Sequence, residues 1–257
     1  MLEKFFMKGI LREKMSKIIL ITGASTGIGA ATARLLAPQN KIIVHYYSSK
    51  EAAEKVAKDV EENNGEAFLV QEDLTSEEAC ISLVKKITDK YSKIDVLINN
   101  AGGLLRRQSA YELEWKLMIE TFSLNTFSTM KISSLCIPLL KKGEDPNIIN
   151  ISSRAIRHGA PTAIIYGACK GAVDSFTRGL ANELAPEIRV NAVAPGLIDT
   201  PFHEKVSTPE RMKKLKEGIP LKKIGEAIHI AKTIKFLIEN DFITGETIDV
   251  NGGAFMR

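Results

Sequence analysis

The sequence predicts an α/β fold in which a doubly wound parallel sheet carries helices on both faces. Short apolar segments, typical of buried strands, alternate along the chain with longer amphipathic segments that are typical of helices. The first strand is followed by a glycine-rich turn and a helix, the local order of a dinucleotide-binding unit. Polar or glycine-rich segments follow one strand after another, where parallel sheets bind their ligands. Together these observations predict one α/β domain with a ligand site along the carboxyl ends of the strands.

Composition excludes several function classes. Of the 257 residues, 44% are hydrophobic and 26% are charged, as in an ordinary globular protein with a sizeable core. The net charge is +4 and no basic run with interleaved aromatic residues occurs, so nucleic acid binding is not expected. No stretch is long enough to span a membrane. Three widely spaced cysteines without a C-x-x-C pair favour a cytoplasmic protein with neither disulfides nor a metal site.

Residues 1–16 are predicted to be an N-terminal extension. Charged and apolar residues alternate there, without the long apolar core or the small-residue cleavage site of a secretory signal. An amphipathic membrane-surface helix is the alternative, but Met15 offers a natural start and favours a simple extension. Residues 17–257 contain neither linker nor repeat and are predicted to form a single domain.

The predicted elements alternate regularly over that domain. Strands are expected at residues 17–21, 41–46, 66–71, 94–98, 147–151, 188–193 and 246–250. Helices are expected from the glycine turn to residue 37 and at residues 50–64, 76–91, roughly 110–140, 166–184 and 226–238. Residues 197–224 form a polar stretch in which Thr208, Pro209 and Glu210 mark the start of a further helix.

The glycine turn at residues 22–29 has the spacing G-x-x-x-G-x-G. Glycines let the backbone turn sharply and approach a pyrophosphate, which binds at the N-terminus of the following helix. The flanking strand and helix make a turn without a ligand improbable. The expected cofactor contacts here are Gly23, Ser25, Thr26, Gly27, Ile28 and Gly29.

Tyr166 and Lys170 are four residues apart on a predicted helix, so their side chains leave the same face. An ammonium near a phenol favours the phenolate and moves the pKa of the tyrosine towards neutrality, as general acid–base catalysis requires. Spacing alone is weak evidence, because a solvated lysine beside a half-buried tyrosine is common. Polar residues that converge at the strand ends, including Asp73, Ser153 and Gly196, favour a catalytic pair.

Taken in order, these motifs resemble the short-chain dehydrogenase/reductase family in its single-domain branch. The resemblance covers residues 17–253 and includes two further motifs, Asn-Asn-Ala-Gly at residues 99–102 and Pro195-Gly196. It implies a Rossmann-like, seven-stranded parallel sheet, a nicotinamide dinucleotide and an alcohol–carbonyl redox reaction. Residues 17–257 would then be one NAD(P)-binding catalytic domain that assembles as a homo-tetramer or homodimer.

The resemblance also implies a role for each catalytic residue. Tyr166 would be the general acid in reduction and the base in oxidation. Lys170 would hold the nicotinamide ribose and lower the pKa of Tyr166. Ser153, selected over Ser152 by its spacing from Tyr166, would hydrogen-bond the substrate oxygen. Asn125 would hold a water molecule that links Lys170 to solvent.

Further cofactor contacts follow from the same resemblance. Asp73 would meet the adenine, Asn99 and Ala101 the adenosine side, and Thr200 the nicotinamide carboxamide. The remaining expected contacts are Tyr47, Ser48, Leu74, Gly102, Tyr166, Lys170, Pro195, Gly196 and Ile198.

The segment after the second strand predicts NADP(H) as the preferred cofactor. NAD-specific sites carry an acidic residue there that accepts the ribose 2′-hydroxyl. This chain has no acid between Gly29 and Glu51, and offers Ser48, Ser49 and Lys50 to a 2′-phosphate. NAD(H) stays possible because no arginine is present at this strand end.

The predicted substrate is a small polar alcohol or carbonyl compound, such as a sugar, a polyol, or a hydroxy or keto acid. Five basic residues flank the expected site: Arg106, Arg107, Arg154, Arg157 and His158. The alternatives are a 3-oxoacyl reductase, which the C-terminal residues 243–253 resemble, and a non-catalytic dinucleotide-binding sensor. Asn182 stands where acyl-carrier reductases carry an arginine, and the complete catalytic set argues against a sensor. Cys169 replaces the usual serine and is expected to be packed rather than redox-sensitive.

Overall fold

The computed structural model describes residues 16–204 and 208–256. The strands in these ranges are β1 (Ile18–Ile21), β2 (Lys41–Tyr46), β3 (Glu66–Gln71), β4 (Val96–Asn99), β5 (Asn147–Ile151), β6 (Arg189–Pro195), β7 (Ile198–Asp199), β8 (Gly225–Glu226) and β9 (Thr247–Val250). Seven of them form one parallel sheet in the order β3-β2-β1-β4-β5-β6-β9, and β7 pairs with β8 separately. The predicted seven-stranded, Rossmann-like sheet is therefore confirmed.

Helices connect the strands and cover both faces of the sheet. In the same ranges they are α1 (Gly27–Leu36), α2 (Lys50–Glu62), α3 (Glu77–Thr88), α4 (Trp115–Phe122), α5 (Ser128–Leu140), α6 (Ala155–His158), α7 (Ile164–Leu184), α8 (Pro201–Glu204), α9 (Pro209–Glu217) and α10 (Ala227–Glu239). A 3₁₀ turn at Ala110–Glu112 and a π-helical turn at Ser123–Phe127 complete the set. None of the helices described is long and apolar enough to cross a membrane.

Two apolar cores sandwich the sheet, because side chains alternate between its faces along each strand. On β1, Ile19 and Ile21 belong to the core that α1, α2 and α10 cover. Leu20, between them, belongs to the opposite core with residues of α3, α5 and α7. Both faces are thus buried, as expected for a parallel sheet.

The connections reverse direction between β1 and β4, which are neighbours in the sheet. In open α/β sheets a crevice forms outside the carboxyl ends of the strands at such a switch point. The glycine turn follows β1 and the Asn-Asn-Ala-Gly segment follows β4. The topology therefore brings these two motifs to the same crevice.

The helical periodicity expected at roughly residues 110–140 corresponds to helical structure over most of this range, but not to one regular helix. The structure has a 3₁₀ turn, a break before Trp115, and a π-helical turn between α4 and α5. Asn125 lies in this π turn and donates to the carbonyl oxygen of Thr121 at 2.9 Å, while its amide also binds Gly103. Tertiary hydrogen bonds thus interrupt a segment whose apolar periodicity is nearly continuous, and π turns often mark functional sites.

The described part of the polar stretch at residues 197–224 contains more secondary structure than the single helix expected there. It contains α8, α9 and β7, and β7 pairs with β8 just beyond it. The predicted helix start is confirmed, because Thr208 caps α9 by accepting a hydrogen bond from the Arg211 amide at 3.3 Å. The extension expected at residues 1–16 lies outside the described residues, except for Ser16.

Candidate active site

A cavity of about 680 Å³ opens at the carboxyl ends of the strands. Its volume lies in the range of ligand-binding pockets, so it can hold part of a dinucleotide together with a small substrate. The predicted residues that line it are Gly23, Ser25, Thr26, Gly27, Ile28, Tyr47, Ser48, Asp73, Leu74, Ala101, Gly102, Ser153, Tyr166, Lys170, Pro195, Gly196, Ile198 and Thr200. Most of the predicted site is therefore brought together around one space, while Gly29, Asn99 and Asn125 lie behind its wall.

The glycine turn has the geometry of an anion cradle. Gly23 and Gly27 have φ angles of +62° and +54°, in the left-handed region that favours glycine. A Cβ atom at Gly23 would lie 2.9 Å from the Ala101 Cα, so a side chain would not fit. In the described structure no side chain caps α1 and its first turn holds no acid, which leaves its first amides available to an anion. These residues fit the pyrophosphate of a dinucleotide.

Gly29 is closely packed against the glycine turn. A Cβ atom there would collide with the carbonyl oxygen of Gly23 and lie 2.6 Å from Asn100 Nδ2. Its lack of a side chain lets α1 approach the turn closely, which is the third role of glycine in such motifs. Gly29 does not line the cavity, and its contact with a cofactor stays a prediction.

Asn99 also faces away from the cavity. Its buried side chain donates to Ser133 Oγ at 2.8 Å and to Asn150 Oδ1 at 2.9 Å, inside the sheet. The next residue, Asn100, lines the cavity and donates to the carbonyl oxygens of Thr22 at 3.0 Å and Gly23 at 2.9 Å. Strand alternation explains this difference between the two side chains, because adjacent residues point to opposite sides, and the contact of Asn99 with the adenosine side stays a prediction.

His45 braces the glycine turn, a role that the sequence analysis did not identify. The Gly23 amide donates to His45 Nδ1 at 3.0 Å, so Nε2 carries the proton and donates to the Glu72 carbonyl oxygen at 3.1 Å. The side chain is only 2% exposed, and burial lowers the pKa of His45 to about 4. A histidine inside an otherwise apolar strand was the available signal. His45 thereby ties the ends of β1, β2 and β3 together.

The end of β2 lines the cavity with hydroxyl groups. Tyr47, Ser48 and Ser49 all lie on its wall. Lys50 was expected to add positive charge there, but it begins α2 and pairs with Glu54 at 3.7 Å on the exposed helix surface. Asp73, after β3, accepts from the amide and hydroxyl of Thr75 at 3.1 and 2.9 Å, which fixes the loop around its carboxylate.

Tyr166 and Ser153 form a hydrogen-bonded pair in the cavity wall. Burial raises the pKa of Tyr166 to about 12, and the hydrogen bond with Ser153 partly opposes this shift. Ser153 also accepts from the Ala155 amide at 3.1 Å, which orients its hydroxyl. The Phe202 ring lies 6.1 Å from the Tyr166 ring, centroid to centroid. At neutral pH Tyr166 therefore keeps its proton and can act as an acid.

Lys170 lies beneath Tyr166, with Nζ 5.8 Å from the centroid of the phenol ring. The residue is 4% exposed, and its ammonium donates to the Ile151 carbonyl oxygen at 2.8 Å. Burial lowers the pKa of Lys170 to about 8. The pair is adjacent as expected, but the expected lowering of the Tyr166 pKa is not found, because desolvation of the phenol dominates.

Asn125 supports the site from behind. Its Oδ1 accepts from the Gly103 amide and its Nδ2 donates to the Gly103 carbonyl oxygen, both at 2.9 Å. A Cβ atom at Gly102 would lie 2.7 Å from Asn125 Oδ1 and 3.2 Å from Lys170 Nζ. The loop after β4 is thus held against both residues, while the water-holding role of Asn125 stays a prediction.

Two residues near the catalytic pair have structural roles. The Ser152 hydroxyl donates to the Lys170 carbonyl oxygen at 3.1 Å, which leaves Ser153 as the serine that faces Tyr166. Cys169 is fully buried, and burial raises the pKa of its thiol to about 11. A thiol that holds its proton is a poor nucleophile, so the packed interpretation of Cys169 is confirmed.

The basic residues of the predicted substrate region divide into two groups. Arg106 pairs with Glu114 at 2.6 Å and Arg157 with Asp249 at 3.2 Å, and neither lines the cavity. The members that do line it are Arg107, Arg154 and His158, together with Arg211 of α9, which the sequence analysis missed. Residues 197–224 were expected to form a lid over the substrate pocket, but no local pattern singled out Arg211 within that segment.

Comparisons with known proteins place the chain among reductases. The model of the family described as short chain dehydrogenase matches residues 17–211. A 3-oxoacyl-[acyl-carrier-protein] reductase of Synechocystis sp. is 38% identical, over 94% of this chain and 98% of that protein. The corresponding reductase of Thermotoga maritima is 35% identical, over 92% of this chain and 97% of that protein.

Solved structures agree with this placement. The angucycline C-6 ketoreductase LanV with bound NADP has a TM-score of 0.85 and 29% identity, covering 93% of this chain and 95% of LanV. The NADH-dependent reductase A1-R′, responsible for alginate metabolism, has a TM-score of 0.87 and 28% identity, covering 95% and 98%. Reductases specific for different substrates therefore share this architecture.

Proposed function

The chain belongs to the short-chain dehydrogenase/reductase family of NAD(P)-dependent oxidoreductases, and on this premise we propose that it reduces the carbonyl group of a small polar compound with NADP(H). The observation that carries the proposal is the Tyr166 phenol, which keeps its proton and bonds Ser153 in the wall of a cavity that also contains the glycine cradle. A protonated phenol beside a hydroxyl is the donor set that a developing alkoxide requires.

The residues divide the reaction between them. Bound NADPH would supply the hydride that reaches the carbonyl carbon. Tyr166 would donate its proton to the carbonyl oxygen, and Ser153 would hold that oxygen by a hydrogen bond. Lys170, buried behind Tyr166, would hold the nicotinamide ribose hydroxyls and offset the charge left on the phenolate. Because the pKa of Tyr166 is raised, the phenol is protonated at neutral pH and is available as the acid in reduction.

The end of β2 supports a preference for NADP(H) over NAD(H). Tyr47, Ser48 and Ser49 present hydroxyl groups to the cavity, without an acid that would repel a 2′-phosphate. LanV binds NADP, whereas A1-R′ is NADH-dependent, so similar structures use either cofactor. Introducing Ser48→Asp should lower kcat/KM for NADPH at least tenfold relative to NADH. An unchanged ratio would contradict the assignment of this strand end.

Two substrate classes are consistent with the relatives. The polar cavity wall around Arg154 and His158 supports a small polar substrate, such as a sugar, a polyol, or a hydroxy or keto acid. The two curated relatives support a 3-oxoacyl thioester instead. Asn182 is exposed on α7 where acyl-carrier reductases are expected to have an arginine, which favours the first class.

A substrate panel tests the proposal directly. Keto sugars, keto acids and 3-oxobutanoyl thioesters are assayed by nicotinamide absorbance with each cofactor. Tyr166→Phe removes only the proposed proton donor and should lower turnover by at least about 10²-fold while the Kd for NADPH stays within twofold. A variant with near-normal turnover would contradict the assignment. Cofactor binding without turnover on any carbonyl would favour the sensor alternative.

We also propose assembly into a homodimer or homotetramer. Large apolar side chains are exposed along α4 and the turns beside it: Tyr111 is 98% exposed, Trp115 75% and Phe127 52%. Such a patch on a helix pair is typical of an interface between subunits. Light scattering on purified protein measures the mass, and Trp115→Glu should dissociate the assembly if this surface is buried in it.

A further inference from the structure

Three arginines from distant parts of the chain line the same region of the cavity. Arg107 follows β4, Arg154 follows β5 directly after Ser153, and Arg211 lies on α9. Their elements meet only because the crossover connections bring the loop after β4, the start of α6 and α9 together. Repulsion within such a cluster of cations destabilises the fold unless a bound anion compensates their charge.

The positive charge of Arg211 acts on both other arginines of this cavity region. Burial, and then the charge of Arg211, lower the pKa of Arg154, and the same two causes lower the pKa of Arg107. Among the described residues, the Arg154 side chain forms neither a hydrogen bond nor an ion pair, while Arg107 donates to Thr162 Oγ1 at 3.3 Å. Folding therefore places the partly desolvated Arg154 side chain near another cation, which is unfavourable without a compensating anion.

The acids in the described cavity wall lie far from Arg154. They are Glu72 and Asp73, which follow β3. β3 and β5 are separated in the sheet by β2, β1 and β4, so at a strand spacing of 4.7–4.9 Å their ends lie roughly 19 Å apart. Glu72 is already bonded to Ser82 and Lys86. The cavity is thus acidic at one end and basic at the catalytic end.

We propose that Arg107, Arg154 and Arg211 form a subsite for a carboxylate or phosphate group of the substrate, so that the enzyme acts on an anionic carbonyl compound. The inference rests on the proposed reductase function and narrows its substrate class. A planar guanidinium fork matches both oxyanions in bidentate fashion. Because Arg154 directly follows Ser153 and both line the same cavity, a small molecule that carries an anionic group and a carbonyl could contact both. Neutral sugars and polyols would leave the charge of Arg154 uncompensated.

Direct binding of small anions tests this subsite without knowledge of the substrate. The protein is first saturated with NADP⁺, so that the glycine cradle is blocked, and is then titrated with malonate or inorganic phosphate by calorimetry. Neutral malonamide serves as the blank ligand. We expect saturable binding of at least one anion, weakened at least tenfold in Arg154→Gln, and no binding of malonamide. Absence of anion binding, or equal binding to wild type and Arg154→Gln, would overturn the proposal.

Arg106→Gln is the matched control, because Arg106 is the same residue type in the same loop as Arg107 but pairs with Glu114 outside the cavity. It should leave the anion Kd unchanged. Arg154→Lys keeps the charge but loses the fork and should restore part of the affinity. Arg211→Gln alters an exposed position on α9 and provides a variant that cannot disrupt the sheet. An anion Kd that responds equally to Arg106→Gln and Arg154→Gln would reflect net charge only and refute the subsite.

Thermal unfolding separates binding from a structural role. In the absence of anions, removing the Arg154 charge that Arg211 repels should leave the Tm of Arg154→Gln equal to or above that of wild type. A clear decrease in Tm would indicate that Arg154 stabilises the fold, which contradicts the proposal. If Arg154→Gln raised the Kd for NADPH and left the anion Kd unchanged, the arginines would belong to the cofactor site. That result would also contradict the proposed substrate subsite.

Kinetics with related probes complete the test. D-Fructose, 5-keto-D-gluconate and D-fructose 6-phosphate are neutral, carboxylate and phosphate keto sugars of similar size. We expect kcat/KM to be highest for one of the two anions, and Arg154→Gln to raise its KM while Tyr166→Phe abolishes kcat. Loss of turnover in Tyr166→Phe with equal kcat/KM for all three probes would retain the reductase function and refute the anionic subsite. Retained turnover in Tyr166→Phe would instead refute the reductase mechanism.

Discussion

Acid should destabilise this protein through His45 before most carboxylates titrate. His45 is 2% exposed, accepts a hydrogen bond from the Gly23 amide and donates one to the Glu72 carbonyl oxygen. Its protonation would bury a charge and place a second N–H against the Gly23 amide. Folding therefore requires the neutral imidazole, and the perturbation to apply is a decrease in pH from 7 to 5.

The size of the effect follows from the two pKa values of His45, 6.5 for the solvated side chain of the unfolded protein and about 4 in the fold. Because the folded pKa is the lower one, the unfolded chain binds more protons between these values, and stability decreases as the pH falls through 6.5. The linkage relation gives a loss of about 2 kcal/mol in the free energy of unfolding between pH 7 and pH 5, and about 3 kcal/mol by pH 4. The full contribution is present at pH 7 and above.

Urea unfolding at pH 7 and pH 5 measures this loss, at one protein concentration and without cofactor. His45→Asn is the control, because its amide is uncharged at both pH values. The variant should have a lower free energy of unfolding than wild type at pH 7. Between pH 7 and pH 5, however, its free energy of unfolding should decrease by about 2 kcal/mol less than that of wild type. NMR adds a site-specific check, since the His45 ring should not titrate above pH 5. Equal losses in both proteins, or a His45 pKa near 6.5, would refute the reasoning.

Three further predictions concern packing, chain length and pH. Gly29→Ala should destabilise the protein by about 2 kcal/mol through the collision of its Cβ with the glycine turn, whereas Gly179→Ala, with no described atom within 4 Å, should be neutral or slightly stabilising in the same denaturation assay. Deleting residues 1–14 should leave Tm and kcat/KM unchanged, because we propose that residues 17–257 are the catalytic domain; an inactive truncation would contradict this. Since the pKa of Tyr166 is raised to about 12, kcat for reduction should be flat from pH 6 to 8 while oxidation accelerates with pH, and a reduction rate that falls over this range would contradict the role of Tyr166 as acid.

Elements with chemical signals at both ends were predicted closely from the sequence. The bounds of β2, β3 and β5 agree with the expectation at every residue. Ser76 caps α3 by accepting from the Ala79 amide at 3.2 Å, as its position before the helix predicted. Turn glycines, helix caps and apolar segments determine structure through residues that are close in sequence, so they can be recognised from a single sequence. Residues that follow strand ends could then be assigned to the crevice by topology alone.

Features that depend on contacts between distant segments were not predictable in this way. The break at Asn125 arises from hydrogen bonds to Gly103, which is twenty-two residues earlier in the chain. Arg106 and Arg107 are neighbours in sequence, yet one pairs with Glu114 outside the cavity and the other lines it. Arg211 reaches the site only because α9 folds over it. Spacing and residue type contain no information on these tertiary arrangements.

The junction between β5 and α7 fixes the proposed catalytic residues relative to one another. Lys170 Nζ donates to the carbonyl oxygen of Ile151, the last residue of β5, at 2.8 Å. In the opposite direction, the Ser152 hydroxyl donates to the Lys170 carbonyl oxygen at 3.1 Å. These reciprocal bonds fix α7 against the strand end from which Ser153 emerges. Because Tyr166 lies one turn before Lys170 on the same helix, its distance from Ser153 is set by this junction and not by the substrate.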